Sequence, residues 1–117
     1  MNNTLEKFVA AYIEAIYFTD TGEEGQPPVD AELSPEALKE INEVCADFLE
    51  SCEEVILQTE NTYDRAAHDF WFTRNGHGCG FWDGDWPEPQ ANWLTDMAKA
   101  YGSVDVYEGD DGLIYFM

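Results

Sequence analysis

Apolar residues recur at helical spacing in the first half of the chain and predict two helices there. Over residues 5–18 the apolar side chains repeat every three or four positions, which is typical of an amphipathic helix. Residues 19–33 hold glycines, prolines and acids without an apolar pattern and predict a loop. A second apolar stripe, over residues 38–55, predicts a longer helix with Ser34 as its N-cap, followed by a proline, and an end near Thr59.

The second half of the chain alternates turn residues with short aromatic segments. His68–Thr73 and Phe81–Trp82 are rich in aromatic residues and flank a glycine-rich turn, which predicts a pair of strands. Prolines then precede a predicted third helix over Gln90–Tyr101. Ser103–Tyr107 and Leu113–Phe116 surround a run of Glu, Gly and Asp residues and predict a second hairpin.

This succession predicts an α+β fold in the order ααββαββ, with the helices packed on an antiparallel sheet. The 117 residues are enough for one domain, spanning 1–117, with a modest core. A hydrophobic content of 44% and an aromatic content of 15% exclude a disordered acidic tail.

The charge of the chain excludes several classes of partner. With 25 Asp and Glu against 5 Lys and Arg, the formal net charge is −20. Such a protein repels DNA, RNA and anionic membranes, so we expect it to bind neither nucleic acid nor membrane, but a basic protein surface.

The sequence also predicts a cytoplasmic location, because we find neither a signal-like leader nor an apolar run of membrane-spanning length. An odd number of cysteines, 3, fits that compartment better than a disulfide framework does. Cys45 and Cys52 fall on the apolar face of the second helix, so we expect both thiols to be buried.

Six acids repeat along the second helix at intervals of four, three, four, three and four residues, which puts them on one helical face. We call this set the acidic ladder: Glu36, Glu40, Glu43, Asp47, Glu50 and Glu54. Surface helices usually interleave acids with Lys or Arg, since like charges at this spacing repel. Here Lys39 is the only nearby base.

The acids are concentrated near the ladder rather than spread over the chain. From residue 20 to residue 60 there are thirteen acids and one base. This asymmetry favours a localised electronegative surface over general solvation. Glu23 and Glu24, in the loop before the second helix, are expected to add to that surface.

The run DFWFTRNGHGCGFWDGDW, residues 69–86, is the densest local pattern in the chain. It resembles a motif of small acidic proteins encoded by bacteriophages and prophages, most of them uncharacterised. The resemblance implies a phage origin and assigns no activity. Phage-encoded acidic proteins of this size are often inhibitors of host enzymes or defence systems, and some of them are DNA mimics.

The same run contains side chains that suggest chemistry. His77, Cys79 and Asp83 are possible metal ligands or members of a Cys–His catalytic pair, but the His-x-Cys spacing is too tight for common zinc knuckles. We therefore predict no metal, no cofactor and no catalytic residue. Arg74 is expected to pair with a carboxylate such as Asp69 or Asp83.

Regularly spaced negative charge on a rod is also what the backbone of duplex DNA presents to a basic protein. The sequence thus predicts a DNA-mimic inhibitor, not an enzyme, that occupies the DNA site of a basic host protein in the bacterial cytoplasm. Trp82 and Asp83 of the aromatic run are expected to add a specific anchor. Two alternatives stay open: a small enzyme or metal protein centred on His77 and Cys79, and an adaptor that binds through the aromatic run. The sequence leaves the target and the oligomeric state open.

Overall fold

Four helices and one short hairpin make up the protein. The structure, a computed structural model, describes residues 3–117 of the chain. The elements are α1 (Asn3–Asp20), α2 (Pro35–Leu57), α3 (Tyr63–Arg74), α4 (Gln90–Lys99), β1 (Val106–Glu108) and β2 (Ile114–Phe116).

The predicted α+β fold with ααββαββ order is wrong, because the fold is mostly helical and its sheet has only two strands. The first predicted strand, His68–Thr73, lies inside helix α3. Thr62 caps that helix by accepting a hydrogen bond from the backbone N–H of Arg65 at 3.1 Å. Buried side chains then recur at helical spacing, so tertiary packing overrides the strand preference of the aromatic residues.

The second predicted strand, Phe81–Trp82, is part of an irregular loop. Gly80 precedes it with a φ of +155°, and a Cβ at this position would lie 2.2 Å from Oγ1 of Thr73. Only glycine fits there. The backbone N–H of Phe81 donates to that same Thr73 oxygen, so the loop is fastened to α3 rather than paired with a strand.

Helix α2 forms as predicted at its start and ends two residues before the expected Thr59. Ser34 caps it by accepting from the N–H of Ala37 at 3.0 Å, and Pro35 occupies the first turn. Cys45 and Cys52 are buried on its inner face, as expected. Burial raises the pKa of both thiols, that of Cys52 to about 12, so both behave as small apolar side chains.

The core is built from aromatic rings of α1, α2 and α3 and of the segments that follow α3 and α4. Phe48 of α2 stacks face to face on Phe70 of α3, with ring centroids 3.9 Å apart and an interplanar angle of 9°. Around this pair lie the rings of Phe8, Phe81 and Tyr101, each with its centroid within 6.2 Å of that of Phe48. Helix α1 lies along α3, and α4 contacts both α2 and α3.

The predicted C-terminal hairpin is confirmed, although its strands are short. Strands β1 and β2 pair antiparallel, with Tyr107 opposite Tyr115. The segment before α2 adds to the same edge, because the N–H of Ile114 donates to the carbonyl of Glu32 and the N–H of Ser34 donates to the carbonyl of Ile114. The hairpin is thereby fixed to the start of α2.

Within residues 3–117, no helix combines the length and the apolar character needed to cross a bilayer.

The stacked pair predicts a large effect of Phe48→Ala. Phe48 is fully buried, and its removal leaves a cavity among rings that cannot collapse into it, so the free energy of unfolding should fall by about 3–5 kcal/mol. Phe18→Ala is the matched control, because Phe18 is 83% exposed and its loss should change stability by less than about 0.5 kcal/mol. Urea unfolding followed by circular dichroism measures both. Similar losses in the two variants would contradict this description of the core.

Candidate functional site

The structure presents the acidic ladder on one exposed side of α2. Five of its six side chains are exposed and Glu40 is half-buried. The buried residues of the helix, among them Ile41, Phe48 and Cys52, face the core on the other side. The predicted placement of the ladder on a single outer face is therefore confirmed.

The ladder carries negative charge that no ion pair in the described chain offsets. Among residues 3–117 the ion pairs are Arg65 with Asp85, His68 with Glu14, and His77 with Asp20, and none includes a ladder residue. Lys39, the sole base of α2, forms no ion pair with any residue of the described chain. The repulsion between neighbouring carboxylates is thus left in place.

One member of the ladder is tied to the core, which the sequence did not indicate. The hydroxyl of Tyr101 donates to Oδ2 of Asp47 at 2.5 Å, and the Tyr101 ring packs edge-on against Phe48 and Phe70. Burial and this hydrogen bond raise the pKa of the Tyr101 hydroxyl, so it stays a donor. Asp47 is therefore held in place at the middle of the ladder.

The hairpin brings one further acid, Asp111, near the beginning of the ladder. Tyr115 of β2 donates to Oδ2 of Asp111 at 2.6 Å, and its pKa is raised to about 12 by that bond first and by the charges of Asp111 and Glu36 as well. Asp111 and Glu36 thus act on the same hydroxyl. Sequence reasoning missed this proximity because the hairpin and α2 are far apart along the chain.

Glu23 and Glu24 are exposed in the loop after α1, in a turn that Gln26 stabilises by bonding the N–H of Glu23 and the carbonyl of Thr19. Trp82 and Asp83 are exposed in the loop after α3, and Asp83 accepts from the N–H of Gly80. Within residues 3–117, none of these four side chains has a hydrogen bond or ring contact with the ladder. The structure therefore does not gather the predicted site residues into one contact cluster.

The expected pairing of Arg74 with Asp69 or Asp83 is wrong. Arg74 is buried, and its guanidinium donates to the carbonyls of Gly102 (2.7 Å) and Tyr101 (3.1 Å) and to the Tyr12 hydroxyl (3.2 Å). Its cationic carbon also lies 5.8 Å from the ring centroids of Phe70 and Tyr101. Carbonyl dipoles and ring faces thus stabilise the guanidinium in place of a carboxylate. Because the two carbonyls follow α4, Arg74 joins α3 to the end of α4.

Asp69 is bonded to a different residue of the aromatic run. It is only 6% exposed, and its Oδ2 accepts from the indole N–H of Trp86 at 2.6 Å. Burial raises the pKa of Asp69, the Trp86 bond opposes that shift, and the negative charge of Asp83 adds to it. A carboxylate with a raised pKa beside other acids is a common feature of binding and catalytic sites.

His77 and Cys79 form no hydrogen bond with each other in the described chain, and each has other neighbours. The His77 ring lies 3.3 Å from Oδ1 of Asp20 and packs edge-on against Phe72. Cys79 lines a cleft on the outer side of α3, where burial first and the charges of Asp69 and Asp83 next raise its pKa. A raised thiol pKa is the opposite of what an activated nucleophile needs.

Among residues 3–117, no group of three or more His, Cys, Asp or Glu side chains is arranged to hold a metal ion. Comparison with protein-family models, with curated proteins and with solved structures finds no match for the chain. The resemblance of the aromatic run to phage-encoded proteins stays a prediction.

The geometry of Arg74 predicts that lysine cannot replace it. A single ammonium cannot reach two carbonyls and a hydroxyl at once, so Arg74→Lys should lower the free energy of unfolding by about 2–4 kcal/mol. Arg65→Lys is the control, because the Arg65–Asp85 pair is exposed and its change should cost less than about 1 kcal/mol. Urea unfolding distinguishes the two. If both substitutions lowered the free energy of unfolding by the same small amount, the role of Arg74 in joining α3 to the end of α4 would be contradicted.

The raised pKa of Asp69 predicts a pH-dependent effect of Asp69→Asn. The folded state favours the protonated carboxyl, so this contribution to stability is complete below the ordinary value of 3.8 and is lost as the pH rises through the raised value. Asparagine keeps the acceptor for Trp86 and carries no charge. The variant should match the wild type at low pH and become more stable than it as the pH rises.

Urea unfolding at a series of pH values tests this, with Asp96→Asn as the control for removing one exposed carboxylate. A difference between wild type and Asp69→Asn that does not change with pH would contradict the expectation.

Proposed function

We propose that the protein is a DNA-mimic inhibitor of the kind that bacteriophages encode. In this proposal it acts in the cytoplasm of a bacterial host, where it occupies the basic DNA site of a host defence or DNA-metabolism protein. The observation that carries the proposal is the ladder: a row of carboxylates, five of the six exposed, without ion pairs in the described chain, on the longest of its four helices.

The dimensions of the ladder fit such a site. From Glu36 to Glu54 the helix rises about 27 Å at 1.5 Å per residue, close to one turn of duplex DNA, about 34 Å. Each step of the ladder is about 5 Å of rise, the same order as the spacing of phosphates along a strand. A groove lined with Lys and Arg for DNA therefore meets carboxylates at comparable intervals.

The rigidity of the surface supports the same proposal. Phe48 anchors α2 in the core, and Tyr101 holds Asp47. A preformed charged surface loses little conformational entropy on binding. Asp111 of the hairpin, whose charge acts on the same Tyr115 hydroxyl as that of Glu36, extends the negative surface beyond the helix.

Inhibition in this proposal requires no chemical step. The net charge of −20 steers the protein toward a basic surface at long range, and binding weakens as salt rises. DNA and the inhibitor then compete for one site, and neither is altered.

Charge reversal of the ladder tests the proposal. Glu43→Lys, Glu50→Lys and Glu54→Lys together replace three exposed acids and leave the Asp47–Tyr101 bond intact. We expect this variant to fold and to lose its capacity to displace DNA from the target, by about a hundredfold or more in affinity. The target is first obtained by capture from bacterial lysate on the wild-type protein and elution with salt. Displacement of labelled DNA from it is then measured by fluorescence anisotropy.

The control is a second triple variant, Asp30→Lys, Asp96→Lys and Asp105→Lys, which makes the same change in net charge at exposed positions outside α2. It should keep most of the activity. Retained displacement by the ladder variant, or equal losses in both variants, would overturn the proposal.

A further inference from the structure

The outer face of α3 carries a groove that the acidic ladder does not involve. Two adjoining hollows, of about 340 Å³ and about 410 Å³, share His68 and Phe72 in their walls. The core-facing side of α3, with Phe70 and Trp71, points the other way. The groove therefore lies on a different side of the helical bundle from the ladder.

One end of the groove is apolar. Its apolar walls are Ala15 and Phe18 of α1 and Phe72 of α3, and Glu14 and His68, which lie against each other, complete the lining. Phe18 is 83% exposed, the largest exposure among the large apolar side chains of the described chain. An aromatic ring left in water beside an apolar hollow is typical of a surface that is covered by a partner.

The other end of the groove is acidic. Asp64, Asp69 and Asp83 line it, and within residues 3–117 none of them has a cationic partner. Arg65 also lines this end, but its guanidinium is bonded to Asp85 at 2.7 Å. The charge of Arg65 also acts on Asp69, so the acidic end carries a net negative charge that is only partly compensated.

Asp69 gives this end a specific acceptor. The side chain is almost fully buried, and Trp86 bonds its Oδ2, while its Oδ1 has no hydrogen-bond partner in the described chain and is not sealed from solvent. Burial and the charge of Asp83 make the ionised form of Asp69 unfavourable, as its raised pKa indicates. A cation placed against Oδ1 relieves that cost and makes the missing hydrogen bond.

We propose that this groove binds an apolar side chain followed by a Lys or Arg in an extended segment of a protein partner. Charge complementarity selects the cationic group, and the apolar end selects its neighbour. A second copy of the chain is a poor occupant, because two bodies of charge −20 repel each other. The site goes beyond the proposed inhibition of DNA binding and does not depend on it.

The test uses a blocked dipeptide, acetyl-Leu-Arg-amide, titrated into the ¹⁵N-labelled full-length protein and followed by two-dimensional NMR. We expect saturable binding with a Kd on the order of 1 mM, and shifts centred on the amides of His68, Phe72 and Cys79. Acetyl-Leu-citrulline-amide, which lacks the charge, and acetyl-Gly-Arg-amide, which lacks the apolar side chain, should each bind about tenfold more weakly.

A matched pair of variants distinguishes binding in the groove from a general attraction of the cationic peptide to an acidic protein. Asp69→Asn with Asp83→Asn removes two charges but keeps the acceptors for Trp86 and for the N–H of Gly80, so it should fold and bind the dipeptide about tenfold more weakly. Glu43→Gln with Glu50→Gln removes the same charge from the ladder and should leave binding unchanged. Shifts spread over the ladder, equal binding of the citrulline peptide, or equal losses in the two variants would each overturn the proposal.

Discussion

The stacking of Phe48 on Phe70 is the contact on which the rest of the structure depends. It joins α2 to α3 at 3.9 Å between ring centroids, and the rings of Phe8, Phe81 and Tyr101 close around it. A chain of net charge −20 repels itself, and its few ion pairs involve exposed or half-buried groups that contribute little. Burial of aromatic surface therefore has to hold the helices together. Because α2 is fixed through Phe48, the same contact sets the direction in which the ladder faces.

The buried guanidinium of Arg74 explains much of the aromatic run without any chemistry. It satisfies carbonyls at the end of α4 that would otherwise be unpaired, while Phe70, Trp71 and Phe81 fill the core. These residues have structural roles. Three other members of the run line the groove outside α3: Asp69, through its free oxygen, the half-buried Cys79 and the exposed Asp83. The aromatic run thus contains residues that build the core and other residues that face solvent.

Helix α2 and its ladder could be predicted because every local signal agrees: a serine cap, a proline in the first turn and one apolar stripe opposite the acids. Helix α3 was missed because its aromatic residues favour strands, although Ala66, Phe70 and Arg74 lie four apart on its buried side. Phe81 is buried as a single residue after Gly80, which no strand pattern reveals. The groove was beyond prediction, since its walls come from α1, α3 and the loop near Asp83, which only tertiary packing brings together.

The few basic side chains of the chain are distributed in a way that distinguishes its two outer faces. Arg65, His68 and His77 all belong to α3 or the loop after it, and they lie against Asp85, Glu14 and Asp20. The ladder receives none of them in the described chain. Its charge therefore acts undiminished at long range, where the sum of the carboxylates matters more than any single one. Near α3, Arg65 is paired with Asp85, while Asp64, Asp69 and Asp83 form no ion pair in the described chain, and Asp69 lies next to an apolar hollow where it can act at short range. In the two proposals, long-range attraction and short-range selection thus belong to separate surfaces, and substitutions that leave the aromatic core intact can change each of them separately.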